Sequence, residues 1–213
     1  MHHTEPWKQF IDTFSLNQTQ EEQFRAYAQA LITYNKDHNV TTVTAQDAII
    51  SRHFEDSLEL SRAIDIFTVN SICDIGTGGG FPGIALKIAF PHLQVTLIEV
   101  NKKKVEFLTI LATQLNLTHV SFYTQDWRTF LRESTKYTPQ PIDLFLSRAS
   151  LQPEELIRIY LPSSPYKSSK MVYWASKQWQ PHTPRITHFI HKVHTYFCNS
   201  IERKLIFFAY TPT

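Results

Sequence analysis

Phe24, Tyr27, Ala28, Leu31 and Ile32 recur at three- and four-residue spacing, the period of a helix with one apolar face. Asn17-Gln18-Thr19-Gln20-Glu21 stands before them and supplies a capped start. A second stripe, Ile49, Ile50, His53, Phe54, Ser57 and Leu58, predicts a helix from residue 45 or 47 to about 63. Residues 1–70 therefore read as helical. From residue 71 the pattern changes. Apolar runs of strand length at 71–75, 94–100, 120–124, 142–147 and 171–176 alternate with helix-compatible stretches at 83–90, 102–116, 127–133 and 153–160. Strands alternating with helices predict a doubly wound, mostly parallel sheet, with ligands at the carboxyl ends of its strands. Two further strands, 189–197 and 204–210, follow one another and suit an antiparallel pair closing the sheet. The expected division is a helical extension over 1–68 packed on an α/β domain over 69–213.

All five glycines fall in one short stretch, Gly76, Gly78, Gly79, Gly80 and Gly83, directly after the first strand. Glycine costs backbone entropy, so a chain that otherwise avoids it has placed it where a Cβ cannot be tolerated. A tight turn that brings a ligand against bare backbone amides is the usual reason, and strand, glycine turn, helix is a nucleotide-type cofactor site. Gly78-Gly79-Gly80-Phe81-Pro82-Gly83 formally matches the dinucleotide fingerprint, a weak signal alone. Three features lean away from a dinucleotide. Asp74, at the strand end, would repel a pyrophosphate. Pro82 has no amide to offer a phosphate. No second half able to hold a nicotinamide is evident. S-adenosylmethionine, which has no phosphate but carries an ammonium and a sulfonium, suits an acidic glycine loop. Asp74 is then placed either to accept from the ammonium or to brace the loop. Glu99 closes the second strand, where a carboxylate can take both ribose hydroxyls of an adenosyl group. Asp126 and Trp127 follow the third strand and could flank adenine, or Trp127 could be an ordinary core aromatic.

Composition narrows the setting. The length suits one domain with a small appendage, and 42% hydrophobic residues suffice for a full core. No apolar run approaches the roughly 20 residues that cross a membrane, and the first residues lack the features of a signal peptide, so a cytoplasmic protein is expected. Cys73 and Cys198 have no framework spacing and read as thiols. Residues 1–155 carry 13 basic and 18 acidic residues, a balance of −5, while residues 156–213 carry 8 basic residues and one acid, a balance of +7. A basic C-terminal quarter suits a polyanionic partner or a solvated face. His188, His191 and His194 would alternate across a strand, so no metal site is expected.

With these residues assembled, the chain resembles the bacterial small-subunit ribosomal RNA guanine-N7 methyltransferases, the glucose-inhibited division protein B family. Four ordered segments carry the resemblance: residues 34–41, Arg52-His53-Phe54-Glu55-Asp56-Ser57-Leu58, the loop from Asp74 to Gly83, and Ser147-Arg148-Ala149. It implies a class I methyltransferase (Rossmann-like) seven-stranded sheet with helices on both faces. It also implies S-adenosylmethionine as cofactor, contacted at Gly76, Phe81, Trp127, Arg128 and Arg148, and 16S ribosomal RNA or the small subunit as partner. Lys177 and Arg203 fall on the family's RNA-facing lysine and arginine, and Lys204 adjoins them. Asp126, Gln178, Ile201 and Glu99 depart from the family pattern. Guanine N7 has a lone pair and no proton to lose, so methylation there needs no general base. Catalysis by positioning follows, with Arg148 expected to orient the guanine edge or a phosphate, or else to form an internal ion pair with Asp56 or Asp74.

Overall fold

The computed structural model describes residues 5–38, 41–43, 45–136 and 140–210, the side chain of Asp37 apart. Asn39 and Val40 of the 34–41 segment lie outside the described residues. The chain begins with α1 (Glu5–Phe14) and α2 (Gln18–His38). Asn17 caps α2 by accepting from the Gln20 amide at 3.0 Å, while the Gln20 side chain accepts from the Asn17 amide at 2.9 Å. The helix expected over 45–63 is interrupted. It runs as α3 (Gln46–Ile49), a π-helical turn (Ile50–Glu55), α4 (Asp56–Leu58) and α5 (Leu60–Ala63). The π turn shifts the phase of the stripe: Phe54 and Leu58 stay in the core, while His53 and Asp56 reach the neighbouring sheet edge.

The remainder alternates as expected: β1 (Ser71–Ile75), α6 (Gly83–Ala89), β2 (Gln94–Ile98), α7 (Lys102–Gln114), β3 (Val120–Tyr123), α8 (Trp127–Ser134), β4 (Leu144–Arg148), α9 (Pro153–Leu156) and β5 (Lys170–Ser176). The last three elements are α10 (Pro184–Phe189), β6 (Ile190–Cys198) and β7 (Ile201–Phe208). The short α10, opened by a proline, is an addition to the expected elements. β7 begins three residues before the expected strand, because Ile201-Glu202-Arg203 is exposed or half-buried and lacks an apolar run. Asn199 and Ser200, both at left-handed φ (48° and 62°), form the two-residue turn of this hairpin.

Among the described residues the strands form one sheet in the order β3-β2-β1-β4-β5-β7-β6, parallel except for β7, which is antiparallel to both β5 and β6. β1 pairs with β2 on one side and β4 on the other, so the strand order reverses beside β1 and leaves a crevice past its carboxyl end. Each sheet face is covered. The helices up to residue 63, with α6 and α7, bury Trp7, Phe10, Phe24, Tyr27 and Phe54 on one side; Trp127, Phe145, Leu156 and Tyr166 fill the other. Cys73 and Cys198 are both buried free thiols.

Candidate active site

The loop after β1 occupies the crevice; Gly76, Gly80 and Gly83 have no room for a Cβ, while Gly78 has the room but a left-handed φ of +61°. Gly76 has φ +67°, and a Cβ on it would collide with the Ser150 side chain. The expectation that its amides face a ligand needs correction. The Gly76 and Thr77 amides donate to the Ile98 carbonyl (2.9 and 3.1 Å), Gly78 donates to Glu99 Oε2 (3.0 Å), and Gly80 and Phe81 donate to the Thr77 carbonyl (both 3.0 Å). Gly76 and Gly78 are the half-buried glycines of the loop. Asp74 lies fully buried beneath it. Its Oδ2 accepts from Thr77 Oγ1 (2.6 Å) and the Gly83 amide (2.8 Å), while Oδ1 has no partner among the described residues. Of the two roles open to Asp74, the geometry supplies the brace. Burial raises its pKa to about 6, against the lowering effect of those hydrogen bonds.

Gly76 borders two cavities. The first, about 420 Å³, brings together Gly76, Glu99, Asp126, Trp127 and Arg128. Glu99 is buried; its Oε1 accepts from the Asn101 amide at 2.9 Å, and both oxygens keep lone pairs for a further donor. Asp126 caps α8 by accepting from the Thr129 amide (2.9 Å) and hydroxyl (3.1 Å). Trp127 is buried edge-on against Phe145 and donates through Nε1 to the Glu155 carbonyl (3.2 Å), so it is a core aromatic that also walls the cavity. Arg128 is exposed and holds Glu155 in a two-point contact (2.7 and 3.2 Å).

The second cavity, about 440 Å³, lies on the other side of Gly76 and is bordered by Gly78, Phe81, Arg148, Arg203 and His53. Arg148 donates to Asp56 Oδ2 (3.0 Å), the Arg52 carbonyl (3.3 Å) and His53 Nδ1 (3.2 Å), and its guanidinium lies 5.1 Å over Phe81. The arginine can only donate, so the His53 proton sits on Nε2 and is donated to Thr41 Oγ1 at 3.0 Å. Burial, reinforced by Arg148, depresses the His53 pKa to about 3, and the neutral ring stacks on Phe81 at 4.4 Å. Asp56 is buried and also accepts from the Tyr196 hydroxyl (2.6 Å) and pairs with Arg203 (3.1 Å). Of the alternatives open to Arg148, an ion pair with Asp56 is present, and it leaves the guanidinium in the cavity wall. Sequence reasoning missed that Arg203 and Tyr196 share the same carboxylate, and that Ser150 closes against Gly76. Lys177, 63% exposed and paired with Glu202 (3.2 Å), and Lys204 border neither cavity. A larger space of about 800 Å³, between α1 and the β6–β7 hairpin, is away from the glycine loop; Asp56 and Phe197 line it, and none of the expected cofactor-binding residues does.

The strand order, the glycine loop at its reversal point and the carboxylate closing β2 define a class I methyltransferase fold. Solved structures agree: the mitomycin 7-O-methyltransferase MmcR (TM-score 0.53, 13% identity, covering 97% of this chain and 74% of that one) and the putative methyltransferase yhhF from Escherichia coli (0.54, 13%, 74% and 88%). So does a point mutant of MtNAS in complex with S-adenosylmethionine (0.55, 12%, 88% and 72%). The family described as rRNA small subunit methyltransferase G matches residues 20–205, and the chain belongs to it. Ribosomal RNA small subunit methyltransferase G of Bacillus pumilus is 39% identical over 148 residues, 70% of this chain and 61% of that protein; its counterpart in Macrococcus caseolyticus is 36% identical over 149 residues, again 70% and 61%. The chain thus spans about 61% of the length of these relatives. Among the described residues, no helix is long and apolar enough to cross a membrane.

Proposed function

We propose that this chain transfers a methyl group from S-adenosylmethionine to N7 of a guanine in 16S ribosomal RNA, as a cytoplasmic enzyme acting on that RNA or the small subunit. One observation carries the reading: among the described residues Gly76 is the one that borders both a cavity built around a carboxylate and an aromatic wall and a cavity lined by arginines. The residues present fit the cofactor, because Glu99 is buried just past β2 and keeps acceptor capacity toward two hydroxyls. Glu99 would hold the ribose, Asp126, Trp127 and Arg128 the adenine end, and the Gly76 edge the sulfonium. Bound there, the cofactor would supply an electrophilic methyl group.

The protein's own part is placement. Arg148, held by Asp56 and His53, presents donors toward the N7 and O6 edge of guanine, the pairing that arginine favours. Phe81 lies beneath that guanidinium and Arg203 flanks it. Holding two reactants in attack geometry can supply up to roughly 7–11 kcal/mol of the barrier. The helices of 1–68 act as an extension of the 69–213 domain that contributes His53 and Asp56 to this wall. Lys177, Arg203 and Lys204 are assigned to the RNA.

Calorimetry with S-adenosylhomocysteine tests the cofactor half. Glu99→Ala removes a charge-assisted acceptor worth roughly 1.5–3 kcal/mol, so affinity should fall about 10- to 150-fold. Undiminished binding, or a thermal shift with NADH alone, would displace the reading. Transfer of labelled methyl to small subunits lacking the mark tests the rest.

A further inference from the structure

Large apolar side chains scattered singly on a surface need no explanation; a group of them beside a binding cavity does. The β6–β7 hairpin carries three, Val193 and Phe197 on one face and Ile201 on the other, at 49%, 70% and 53% exposure. The Phe197 ring stacks on no other ring among the described residues. Strand alternation places it with Val193 and Thr195 on the face of β6 opposite Tyr196, whose hydroxyl reaches Asp56. The register sets Phe197 across from Glu202 and Thr195 across from Lys204, and Lys177 reaches Glu202 from just past β5. A bare phenyl ring is therefore neighboured by two lysines on an open antiparallel face. The tip of the same hairpin, through Cys198, Asn199 and Ile201, borders the arginine cavity.

A ring and cations on an exposed sheet face fit an unpaired nucleotide: every base has a π-face to stack, and lysines meet the flanking phosphates. The +7 balance of residues 156–213 disfavours a second copy of the chain docked through the same face. We propose that Phe197 is a stacking platform for an unpaired base of the RNA that flanks the target guanine, with Lys177 and Lys204 meeting its backbone. The inference rests on the methyltransferase reading above and assigns how that substrate is gripped.

The exposed site lets Phe197→Ala, Phe197→Leu and Phe197→Trp be compared in the full chain without loss of folding, which their thermal unfolding verifies. Phe197→Ala should raise the KM for 16S RNA roughly 5- to 150-fold, with kcat and S-adenosylhomocysteine affinity unchanged. Phe197→Trp should restore the KM, and Phe197→Leu should not, since it keeps apolar bulk without a π-face. An unchanged KM in Phe197→Ala, or full rescue by leucine, overturns the proposal. So does a dimer that Phe197→Ala dissociates without altering RNA affinity. If the wild-type protein methylates no RNA, the methyltransferase reading fails separately. Single-stranded RNA oligonucleotides then decide on their own: quenching of the Phe197→Trp fluorescence beyond that of the four native tryptophans supports the platform, and its absence rejects it.

Discussion

Replacing Gly76 by alanine probes the thin partition between the two cavities, and its cost can be worked from the surroundings. A left-handed backbone costs a residue with a Cβ about 1–2 kcal/mol. The new methyl would collide with Ser150 Cβ and stand 3.0 Å from its Oγ, so Ser150 must move. It cannot retreat freely, because its hydroxyl donates to the Ile75 carbonyl (2.6 Å) and lies 2.8 Å from Ser147 Oγ. Overpacking of this kind costs about 1–3 kcal/mol more. Together the two effects destabilise by about 2–5 kcal/mol, which for a chain of this length lowers the Tm by roughly 4–20 °C. Gly78→Ala is the control. Its φ of +61° carries the same backbone cost, but no atom lies within 4 Å of the added Cβ, so it should lose only about 1–2 kcal/mol. Urea unfolding of both variants beside the wild type gives the comparison. Equal losses would refute the claim that Ser150 closes against Gly76.

Asp56→Ala leaves the Arg148 guanidinium and the Tyr196 hydroxyl without their shared acceptor and Arg203 without its counter-charge, and breaking a buried pair from one side costs about 3–5 kcal/mol. A loss below about 1 kcal/mol in urea unfolding would show that the carboxylate is not the anchor described. Acid behaviour follows from two groups with opposite signs. His53 titrates near pH 3 in the fold against 6.5 ordinarily, so as pH falls below 6.5 the unfolded chain takes up a proton that the native chain refuses, and stability drops by up to about 1.4 kcal/mol per pH unit. Asp74 titrates near 6 against 3.8, so acidification between those values adds stability and offsets the loss. His53→Asn removes only the first effect and should gain stability relative to the wild type between pH 6 and 3.8; parallel urea midpoints across that window would contradict it.

How much of this is legible in the sequence depends on how local the cause is. Gly76 to Gly83 stand out because glycine is otherwise absent, and Glu99, Asp126 and Arg148 follow from strand ends in an α/β pattern. The same logic misassigns the loop amides, since their acceptors, the Ile98 carbonyl and Glu99, sit on a different strand. The second apolar run extends to residue 100, but its strand ends at Ile98; the Glu99 amide still donates to the Tyr123 carbonyl, while its carboxylate accepts from the Gly78 and Asn101 amides. The π turn over Ile50–Glu55 is hidden because Ile50, Phe54 and Leu58 keep a four-residue spacing that an uninterrupted helix would share. The meeting of Asp56 with Tyr196 spans 140 positions, and no local pattern reports a partner that distant.

Tyr27 gives the glycine turn a debt to the far end of the chain. Its hydroxyl donates to the Gly79 carbonyl at 2.6 Å and its ring stacks on Phe81 at 5.0 Å, while a Cβ on Gly80 would collide with that same hydroxyl. A graft of the strand-turn-helix unit into another scaffold would leave the turn with one wall missing. Whatever unseats α2, whether a mutation or a bound partner, would be felt at once where the two cavities meet.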